Sequence, residues 1–267
     1  MPRSAILAAL ALLSCTEEQS GPIDGTAQAA EGAAPCRRAV FEEVPLTVCI
    51  ADPRTDRITT ALAPEDGAPY RGLAALAAAR QDQSVQVRFA MNGGMFDDEG
   101  QPIGYYVENG ERLQALSRAK GPGNFHMLPN GVFFGTGGKW EVRTSEDFYD
   151  NVEERPEFGT QSGPMLVIDG ELHPKIDPDG TSLRIRNAVG IDAAGRALFV
   201  ISDDPISFGK LARFYRDVLN VRNALFLDGT VSSLWSPETS RLDQGFAIGP
   251  LIVVEKRAKA RVENDAR

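Results

Sequence analysis

The stretch Leu225-Phe226-Leu227-Asp228-Gly229-Thr230-Val231-Ser232-Ser233 is the one around which the rest of the chain is organised. An apolar run from Ala224 to Leu227 has the length and composition of a buried strand. It ends in a carboxylate, a glycine and three small hydroxyl-bearing residues. Because connecting segments at the ends of rigid elements often carry chemistry, this pattern predicts a functional site centred on Asp228.

The composition is that of a folded, acidic protein. Of the 267 residues, 42% are hydrophobic and 24% are charged, and the formal net charge is −9. Nucleic-acid binding needs a basic surface, so this charge argues against a nucleic-acid partner. No apolar run reaches the roughly 18 to 20 residues of a transmembrane helix. We expect a single folded domain at residues 36–256, followed by a charged tail at 257–267.

The first residues predict export. Residues 1–14 have a basic residue followed by a short apolar run, as signal peptides do. The sequence Leu12-Leu13-Ser14-Cys15 resembles a bacterial lipobox, in which Cys15 would be lipidated, and residues 15–35 would form a flexible tether to the membrane. Thr16 is not the aspartate that favours inner-membrane retention, so the outer membrane is slightly favoured. An ordinary secretory signal with an incidental cysteine is the alternative.

The two remaining cysteines flank a predicted hairpin. Ala39–Phe41 and Leu46–Val48 have strand composition, with a turn at Glu42–Pro45 between them. Export implies an oxidising compartment, where paired cysteines persist as disulfides. We therefore predict a Cys36–Cys49 disulfide, with two unpaired buried thiols as the alternative.

The other patterns predict an α+β domain of mixed and antiparallel sheets with a few packed helices. Leu73–Ala79 is a helix-forming run. Ser207 can cap a second helix whose apolar residues repeat at helical spacing up to Leu219. Apolar strands at Ala197–Ile201 and Ala224–Leu227 flank that second helix, so the three elements predict a βαβ-like unit.

A predicted strand at Val85–Met91 runs directly into Asn92-Gly93-Gly94. Adjacent glycines permit positive φ and a close approach of the backbone to another group. The favoured interpretation is a hairpin turn, with Ile103–Val107 as the returning strand.

Polar clusters lie at the ends of several predicted strands, and their chemistry suits a phosphorylated or polyhydroxylated ligand. They are Asn92-Gly93-Gly94, Ser162-Gly163, Arg184 with Arg186, Ser202-Asp203-Asp204, and Asp228-Gly229. A guanidinium group binds phosphate oxygens bidentately, and glycine amides can donate to anionic oxygens. His126 and His173 are the only histidines, which excludes a histidine-rich metal site. We expect no metal or other cofactor, and we expect His173 to be exposed in a turn.

Seven ordered motifs resemble those of the phosphodiester glycosidase family, in a bacterial subgroup, over roughly Cys36 to Val254. The motifs are Asn92-Gly93-Gly94-Met95-Phe96, Gly104-Tyr105-Tyr106-Val107, Gly123-Asn124-Phe125, Pro129-Asn130-Gly131-Val132-Phe133, Gln161-Ser162-Gly163-Pro164-Met165, Arg186-Asn187-Ala188-Val189-Gly190 and Leu227-Asp228-Gly229-x-x-Ser232-Ser233. Thr230 departs from the pattern, since the uncovering-enzyme branch of the family has a second glycine there.

The resemblance implies hydrolysis of the bond between a sugar C1 and a phosphodiester oxygen in a cell-envelope or imported glycoconjugate. A phosphodiester leaves as a stabilised anion, so the need for a strong general acid is smaller than in ordinary glycosidases. Asp228 would act as base or nucleophile, Arg186 would hold the phosphate, and Asn92 would orient the carboxylate or hold sugar hydroxyls. The expected substrate-binding residues are Gly93, Gly94, Asn124, Ser162, Gly163, Arg184, Ser202, Asp203, Gly229 and Ser232. A non-catalytic glycan-binding envelope lipoprotein and a purely structural envelope protein remain as alternatives.

Overall fold

The protein folds as three antiparallel sheets around a shared core. The computed structural model describes residues 34–65, 67–81 and 86–257. The strands are β1 (Cys36–Phe41), β2 (Val44–Ala51), β3 (Asp56–Ala61), β4 (Val87–Asn92), β5 (Tyr106–Glu108), β6 (Glu111–Gln114), β7 (Gly131–Thr136), β8 (Lys139–Thr144), β9 (Phe158–Ser162), β10 (Met165–Ile168), β11 (Glu171–Leu172), β12 (Asn187–Ile191), β13 (Ala197–Ser202), β14 (Ala224–Phe226), β15 (Leu234–Ser236), β16 (Arg241–Leu242) and β17 (Leu251–Lys256). The α-helices are α1 (Leu73–Arg80), α2 (Ser145–Asn151) and α3 (Phe208–Arg213).

The strand order shows how distant parts of the chain combine. Sheet I has seven strands in the order β1-β2-β13-β12-β14-β10-β11. Sheet II has the order β16-β15-β4-β17-β3, and sheet III has the order β6-β5-β9-β7-β8. In each sheet at least half of the neighbouring pairs join strands that are not consecutive in the chain. The sheets therefore bring distant segments of the chain together.

The central strands of each sheet are buried on both faces, which explains their continuous apolar runs. Along β14 and the residue after it, successive side chains point to opposite faces of the sheet and so enter two different hydrophobic clusters. Leu225 and Leu227 belong to the central core shared by the three sheets, whereas Ala224 and Phe226 belong to the cluster under α3. Helix α1 covers the outer face of sheet II, and α2 covers that of sheet III.

The predicted βαβ-like unit is present, with one strand inserted. Strand β12 pairs antiparallel with both β13 and β14, so β13 and β14 run parallel to each other on either side of it. The Ser207 side chain caps α3 by accepting from the amide of Lys210 at 3.1 Å. After Arg213 the helix continues as a π-helical turn over Phe214–Val218.

The predicted hairpin after Asn92 is wrong. Strand β4 pairs with β15 and β17 in sheet II, whereas β5 pairs with β6 and β9 in sheet III. Only a local turn closes between them, with a bridge from Phe96 to Pro102. The two strands have hairpin spacing and composition, but β4 pairs instead with strands that are distant in the chain.

The predicted hairpin at the start of the domain is confirmed. Cys36 lies directly opposite Cys49 in the β1–β2 pair, and the two form a disulfide. Glu42 and Glu43 both have positive φ, which matches the right-handed twist of the flanking strands. The disulfide fits an oxidising, exported environment.

Several expectations concern residues outside the described part of the chain. They are the signal peptide at 1–14, the lipidated Cys15, most of the tether at 15–35, and the tail beyond residue 257. In the described ranges, every helix is too short or too polar to span a bilayer.

Candidate active site

The polar ends of β4, β12 and β14 meet where sheet I adjoins sheet II. Asp228 lies two residues after the end of β14, and its amide donates to the Gly93 carbonyl at 3.2 Å. Asn92, the last residue of β4, donates from Nδ2 to the Asp228 carbonyl at 2.8 Å. The segment Asp228–Ser233, here called the Asp228 loop, is therefore held against the end of β4.

Two buried asparagines fix both ends of the Asp228 loop. The Asn92 Oδ1 accepts from the Ser233 amide at 2.8 Å and from Asn187 Nδ2 at 2.8 Å. The Asn187 Oδ1 accepts from the Ser232 hydroxyl at 3.2 Å. Because Asn92 and Asn187 are buried and these side-chain groups are all engaged, their contribution is to set the backbone on either side of Asp228.

The structure gives Gly93 and Gly94 a different task from the one expected. The Gly93 amide donates to the Pro250 carbonyl at 2.7 Å, and the Gly94 amide donates to Thr160 Oγ1 at 3.0 Å. Their N–H groups are therefore already used inside the protein and do not face a phosphate. A Cβ on Gly94 would collide with the Gln161 carbonyl, so the glycine is needed for the close approach of sheet II to sheet III.

Arg186 is the central cation of the site. It is 3% exposed, and its guanidinium stacks over the Phe208 ring with Cζ 3.7 Å from the centroid. Its Nε donates to the Ile206 carbonyl at 2.9 Å, and Nη2 donates to the Ser182 carbonyl at 3.0 Å. Among the described residues, no carboxylate lies within 4.0 Å of it. Arg186 is thus a buried charge held in place by neutral groups.

The Arg186 guanidinium keeps donors for a ligand. Two hydrogens on Nη1 and one on Nη2 have no acceptor within the described ranges. Nη1 is not fully buried, so it retains contact with solvent. Burial, and then the neighbouring cation Arg184, lowers the pKa of Arg186 to about 10. The group is still protonated at neutral pH, and an oxyanion on Nη1 and Nη2 would relieve the cost of burying it.

Other expected residues position Arg186 and the Asp228 loop. The Arg186 amide donates to Ser202 Oγ at 3.0 Å, and the Ser202 amide donates back to the Arg186 carbonyl at 2.9 Å. A Cβ on Gly229 would collide with the Phe226 ring and would lie 3.6 Å from Arg186 Cγ. Glycine there lets the loop lie close against the Phe226 ring, beside the Arg186 side chain. The Thr230 side chain lies outside the described part of the chain.

A second group of expected residues is a neighbour of this site. Ser162 is fully buried, and its hydroxyl has no hydrogen-bond partner among the described residues. A Cβ on Gly163 would lie 3.2 Å from the Asn124 carbonyl, which places Asn124 beside Gly163. The amide of Phe226 donates to the Pro164 carbonyl at 3.1 Å. This group therefore adjoins β14. The hydrogen bonds to Asp228 described above come from Asn92 and Gly93, which are outside the group.

Asp203 and Arg184 lie at the edges. The Asp203 carboxylate forms an ion pair with Arg241 at 2.7 Å and accepts from the Thr47 hydroxyl at 2.9 Å. That carboxylate therefore ties β13 to β16 in the structure. Arg184 is exposed, and its Nη1 donates to the adjacent Leu183 carbonyl at 2.7 Å. Arg184 acts on the site through its positive charge beside Arg186.

Sequence reasoning did not single out Asn187 and Phe208. Asn187 belongs to the motif Arg186-Asn187-Ala188-Val189-Gly190. Its position next to Arg186 is the feature of the sequence that could have indicated its role. Phe208, the first residue of α3, carried no signal at all, because its stacking on Arg186 depends on how α3 packs.

One histidine prediction and the metal-ligand pattern can be compared with the structure. His173 is 1% exposed, so its expected exposure is wrong; it lies against the Leu128–Pro129 backbone, and burial lowers its pKa. Across residues 34–65, 67–81 and 86–257, no three His, Cys, Asp or Glu side chains are grouped so as to hold a metal ion.

Comparison with known proteins places these features in context. The protein YigE of Escherichia coli K12, described as uncharacterized, is 36% identical over 206 residues, which are 77% of this chain and 80% of that protein. The catalytic domain of zebrafish N-acetylglucosamine-1-phosphodiester alpha-N-acetylglucosaminidase, auto-inhibited by its pro-peptide, has a similar fold. Its TM-score is 0.58 at 16% identity, covering 83% of this chain and 82% of that one. A hypothetical protein from Synechocystis has a TM-score of 0.50 at 16% identity, covering 83% of this chain and 61% of that one.

The family assignment follows from the sequence match. Residues 86–255, which include β4, β12, β14 and the whole Asp228 loop, match the family described as phosphodiester glycosidase. The expected resemblance and the expected fold are both confirmed. This chain belongs to the phosphodiester glycosidase family.

Proposed function

We propose that the protein hydrolyses a sugar-1-phosphodiester, cleaving the bond between the sugar C1 and a phosphate oxygen. The observation that carries the proposal is Arg186, a buried guanidinium without a carboxylate partner in the described structure, in contact with the loop that bears Asp228. Where a buried charge has only a structural role, the protein itself supplies the opposite charge. Where the buried charge binds a phosphate, the ligand supplies the opposite charge.

The chemistry needs few groups. As the C1–O bond breaks, its electron pair passes to the phosphate oxygen, where Arg186 neutralises the developing charge. Water supplies the oxygen that bonds to C1, and its proton passes to Asp228 if that residue is the base. If Asp228 is the nucleophile, it first bonds to C1 and water then hydrolyses the ester. Asn92 and Asn187 hold the loop so that Asp228 keeps one position during either course.

Turnover and binding assays on N-acetylglucosamine-1-phospho-sugar diesters test the proposal. We expect Asp228→Asn to abolish turnover while the variant still binds the diester, because Arg186 is unchanged. The anomer of the released sugar, read by NMR, separates the two roles: inversion indicates a base and retention a nucleophile. Near-normal turnover in a folded Asp228→Asn protein would remove Asp228 from the mechanism. Binding without turnover by the wild type would select the glycan-binding alternative.

We also propose that the enzyme is exported and anchored through a lipid on Cys15, acting on an envelope or imported glycoconjugate. The support is the lipobox-like sequence together with the Cys36–Cys49 disulfide. Cys15→Ser should release the protein from the membrane fraction after cell lysis, whereas the control change Ser117→Ala within the folded domain should not. Membrane association that persists in Cys15→Ser would contradict the anchor.

A further inference from the structure

A groove lies between the end of sheet II and two turns of sheet III. Its volume is about 940 Å³, and on the sheet II side it is lined by Arg57 of β3, by Lys256 and by Arg257. On the sheet III side it is lined by Asn109 in the β5–β6 turn and by residues 137–138 in the β7–β8 turn. Ligand pockets typically have volumes of about 300 to 1,000 Å³, so the groove has room for a small molecule or a short sugar chain.

The groove is separate from the candidate active site. Strand β17 connects the two places, because its first residue, Leu251, pairs with Asn92 and its last residue, Lys256, lines the groove. Residues advance by about 3.4 Å along an antiparallel strand, so about 17 Å separates these two ends of β17. None of the residues that line the groove belongs to the Asp228 loop. A ligand in the groove would therefore bind apart from that loop.

The groove is positively charged, although the protein as a whole is acidic. Its lining contains three cations, Arg57, Lys256 and Arg257, and one carboxylate, Glu157, whereas the whole chain has a formal net charge of −9. Arg57 shares the carboxylate of Glu255 with a second arginine. Neither Lys256 nor Arg257 forms an ion pair within the described ranges. The groove therefore retains an excess of positive charge that attracts anions.

Contacts from both sheets hold the Arg257 guanidinium in place. Its Nε donates to the Asp56 carbonyl at 2.8 Å. A Cβ on Gly138, whose φ is +90°, would collide with Arg257 Nη2, so glycine lets the guanidinium lie against the β7–β8 turn. Nη1 and Nη2 have no acceptor among the residues that the structure describes. Arg257 thus presents two donor groups in a fixed position, and an oxyanion can bind such a pair with two parallel hydrogen bonds.

Neutral polar side chains also line the groove. Gln86, Asn109 and Thr136 are exposed members of its lining. Thr136 Oγ1 accepts from the Glu157 amide at 3.1 Å, which leaves its hydroxyl hydrogen to be donated elsewhere. The side chains of Gln86 and Asn109 make no hydrogen bond to the described part of the chain, so each retains its donors and its acceptor. Amides and hydroxyls of this kind suit the hydroxyl groups of a sugar, whereas the cations suit acid groups.

We propose that the groove binds an acidic saccharide, that is, a sugar chain that bears carboxylate or phosphate groups. Its acid groups contact Arg257 and Lys256, and its hydroxyl groups contact Gln86 and Asn109. A neutral saccharide would leave the positive charge unmatched, and a simple inorganic anion would leave most of the groove of about 940 Å³ unfilled. This site does not depend on the proposed function, because the groove and the Asp228 loop lie toward opposite ends of β17.

Isothermal titration calorimetry with three probes tests the proposal: trigalacturonate carries carboxylates, fructose 1,6-bisphosphate carries phosphates and maltotriose is neutral. The measurements use both the wild type and Arg186→Met, since an acid group cannot pair with Arg186 in the latter. In both proteins we expect the better acidic probe to bind about tenfold more tightly than maltotriose, because charge-assisted hydrogen bonds add affinity. This preference should shrink as salt is raised, because exposed charges are screened. The acidic probe that binds more tightly identifies the acid group as carboxylate or phosphate.

Variants of the groove locate the binding. In the Arg186→Met background, Arg257→Gln should lower the preference for the acidic probe to below about threefold, because the charge and the paired donors are lost. Lys256→Gln, which removes an exposed charge from the same groove, should lower the preference by a smaller factor. Arg38→Gln is the matched control, because it removes an exposed arginine of β1 outside the groove, and it should leave the preference unchanged.

Three results would overturn the proposal. The first is equal affinity for acidic and neutral probes, or no binding of any probe. The second is a preference that persists in both Arg257→Gln and Lys256→Gln, with folding confirmed by circular dichroism. The third is an acidic probe that binds the wild type but not Arg186→Met, because the binding would then belong to the candidate active site. If Arg257→Gln does not fold, Lys256→Gln decides the same question.

Discussion

Two buried charges, Arg186 and Glu255, are accommodated in opposite ways. Glu255 is fully buried near the end of β17, where its two oxygens pair with Arg57 at 2.8 Å and Arg80 at 3.2 Å. Arg186 is almost as buried, but its partners are two backbone carbonyls and an aromatic ring. The first charge is neutralised within the chain, whereas the second still lacks its counter-charge.

The difference separates a structural charge from a functional one. Burying a charge is costly unless it is paired, so a chain that needs only stability supplies both partners, as at Glu255. At Arg186 the cost is visible as a pKa lowered to about 10 by burial. The two charges lie toward opposite ends of β17, whose first residue, Leu251, pairs with Asn92 at the site. One end of sheet II is thus stabilised from within, whereas at the other end we propose that a ligand supplies the counter-charge.

Arg186→Met gives the largest expected effect and the sharpest test of this contrast. We expect kcat/KM on a sugar-1-phosphodiester to fall about a thousandfold, because the group that neutralises the phosphate is lost. The free energy of unfolding should stay within about 1 kcal/mol of the wild type, since removal of a buried charge offsets the lost hydrogen bonds. Steady-state kinetics and urea unfolding measure the two quantities. A large loss of stability would make Arg186 a structural charge like Glu255.

Glu255→Gln should show the reverse pattern. We expect the free energy of unfolding to fall by about 3 kcal/mol, because two arginines lose their shared carboxylate. The kcat/KM of the folded protein should be unchanged. Glu153→Gln, at an exposed glutamate after α2, is the matched control and should unfold like the wild type. Lost turnover in folded Glu255→Gln would break the comparison.

The two partners of Glu255 should differ in importance. The Arg57 side chain is 55% exposed and that of Arg80 is 21% exposed. Because solvent weakens an exposed ion pair, Arg80→Ala should cost about 1 to 2 kcal/mol of stability and Arg57→Ala less than about 1. Thermal or urea unfolding of both variants measures the difference. Equal losses would show that exposure does not rank the two pairs.

The smallest expected effect concerns pH. In the proposed reaction the phosphate binds protonated Arg186, so kcat/KM should fall as pH rises through its pKa of about 10. Arg184 is a neighbouring cation that lowers this pKa, so Arg184→Ala should raise it and move the alkaline fall to higher pH. A pH profile of kcat/KM, with circular dichroism to confirm folding, measures the shift. A shift to lower pH would contradict the charge interaction between the two arginines.

Much of the fold was predictable because it depends on neighbours in sequence. The β1–β2 hairpin, the capped helix α3 and the apolar strands β13, β14 and β17 all follow from local composition and spacing. The hairpin after Asn92 failed because strand pairing is decided by competition. The strand before it pairs with β15 and β17, which come more than a hundred residues later.

The candidate site was predictable as a set of residues but not as an arrangement. Asp228, Arg186, Asn92 and Ser232 were expected from their motifs. Hydrogen bonds join Asp228, Asn92 and Ser232 through Asn187, and Gly229 places the loop beside Arg186. The expected use of the Gly93 and Gly94 amides did not follow, because the two amides donate to the Pro250 carbonyl and to Thr160 Oγ1. A glycine in the sequence indicates that another group comes close to the backbone there, but it does not identify that group.

The sequence by itself indicated which residues to propose for the site, where the buried strands lie and which cysteines pair, because these depend on residue type and short-range spacing. Only the tertiary structure decided which charge is neutralised inside the protein and which is left for a ligand. Arg186 and Glu255 look equally charged in the sequence. They differ because Glu255 meets arginines from distant parts of the chain, whereas Arg186 meets carbonyls and Phe208.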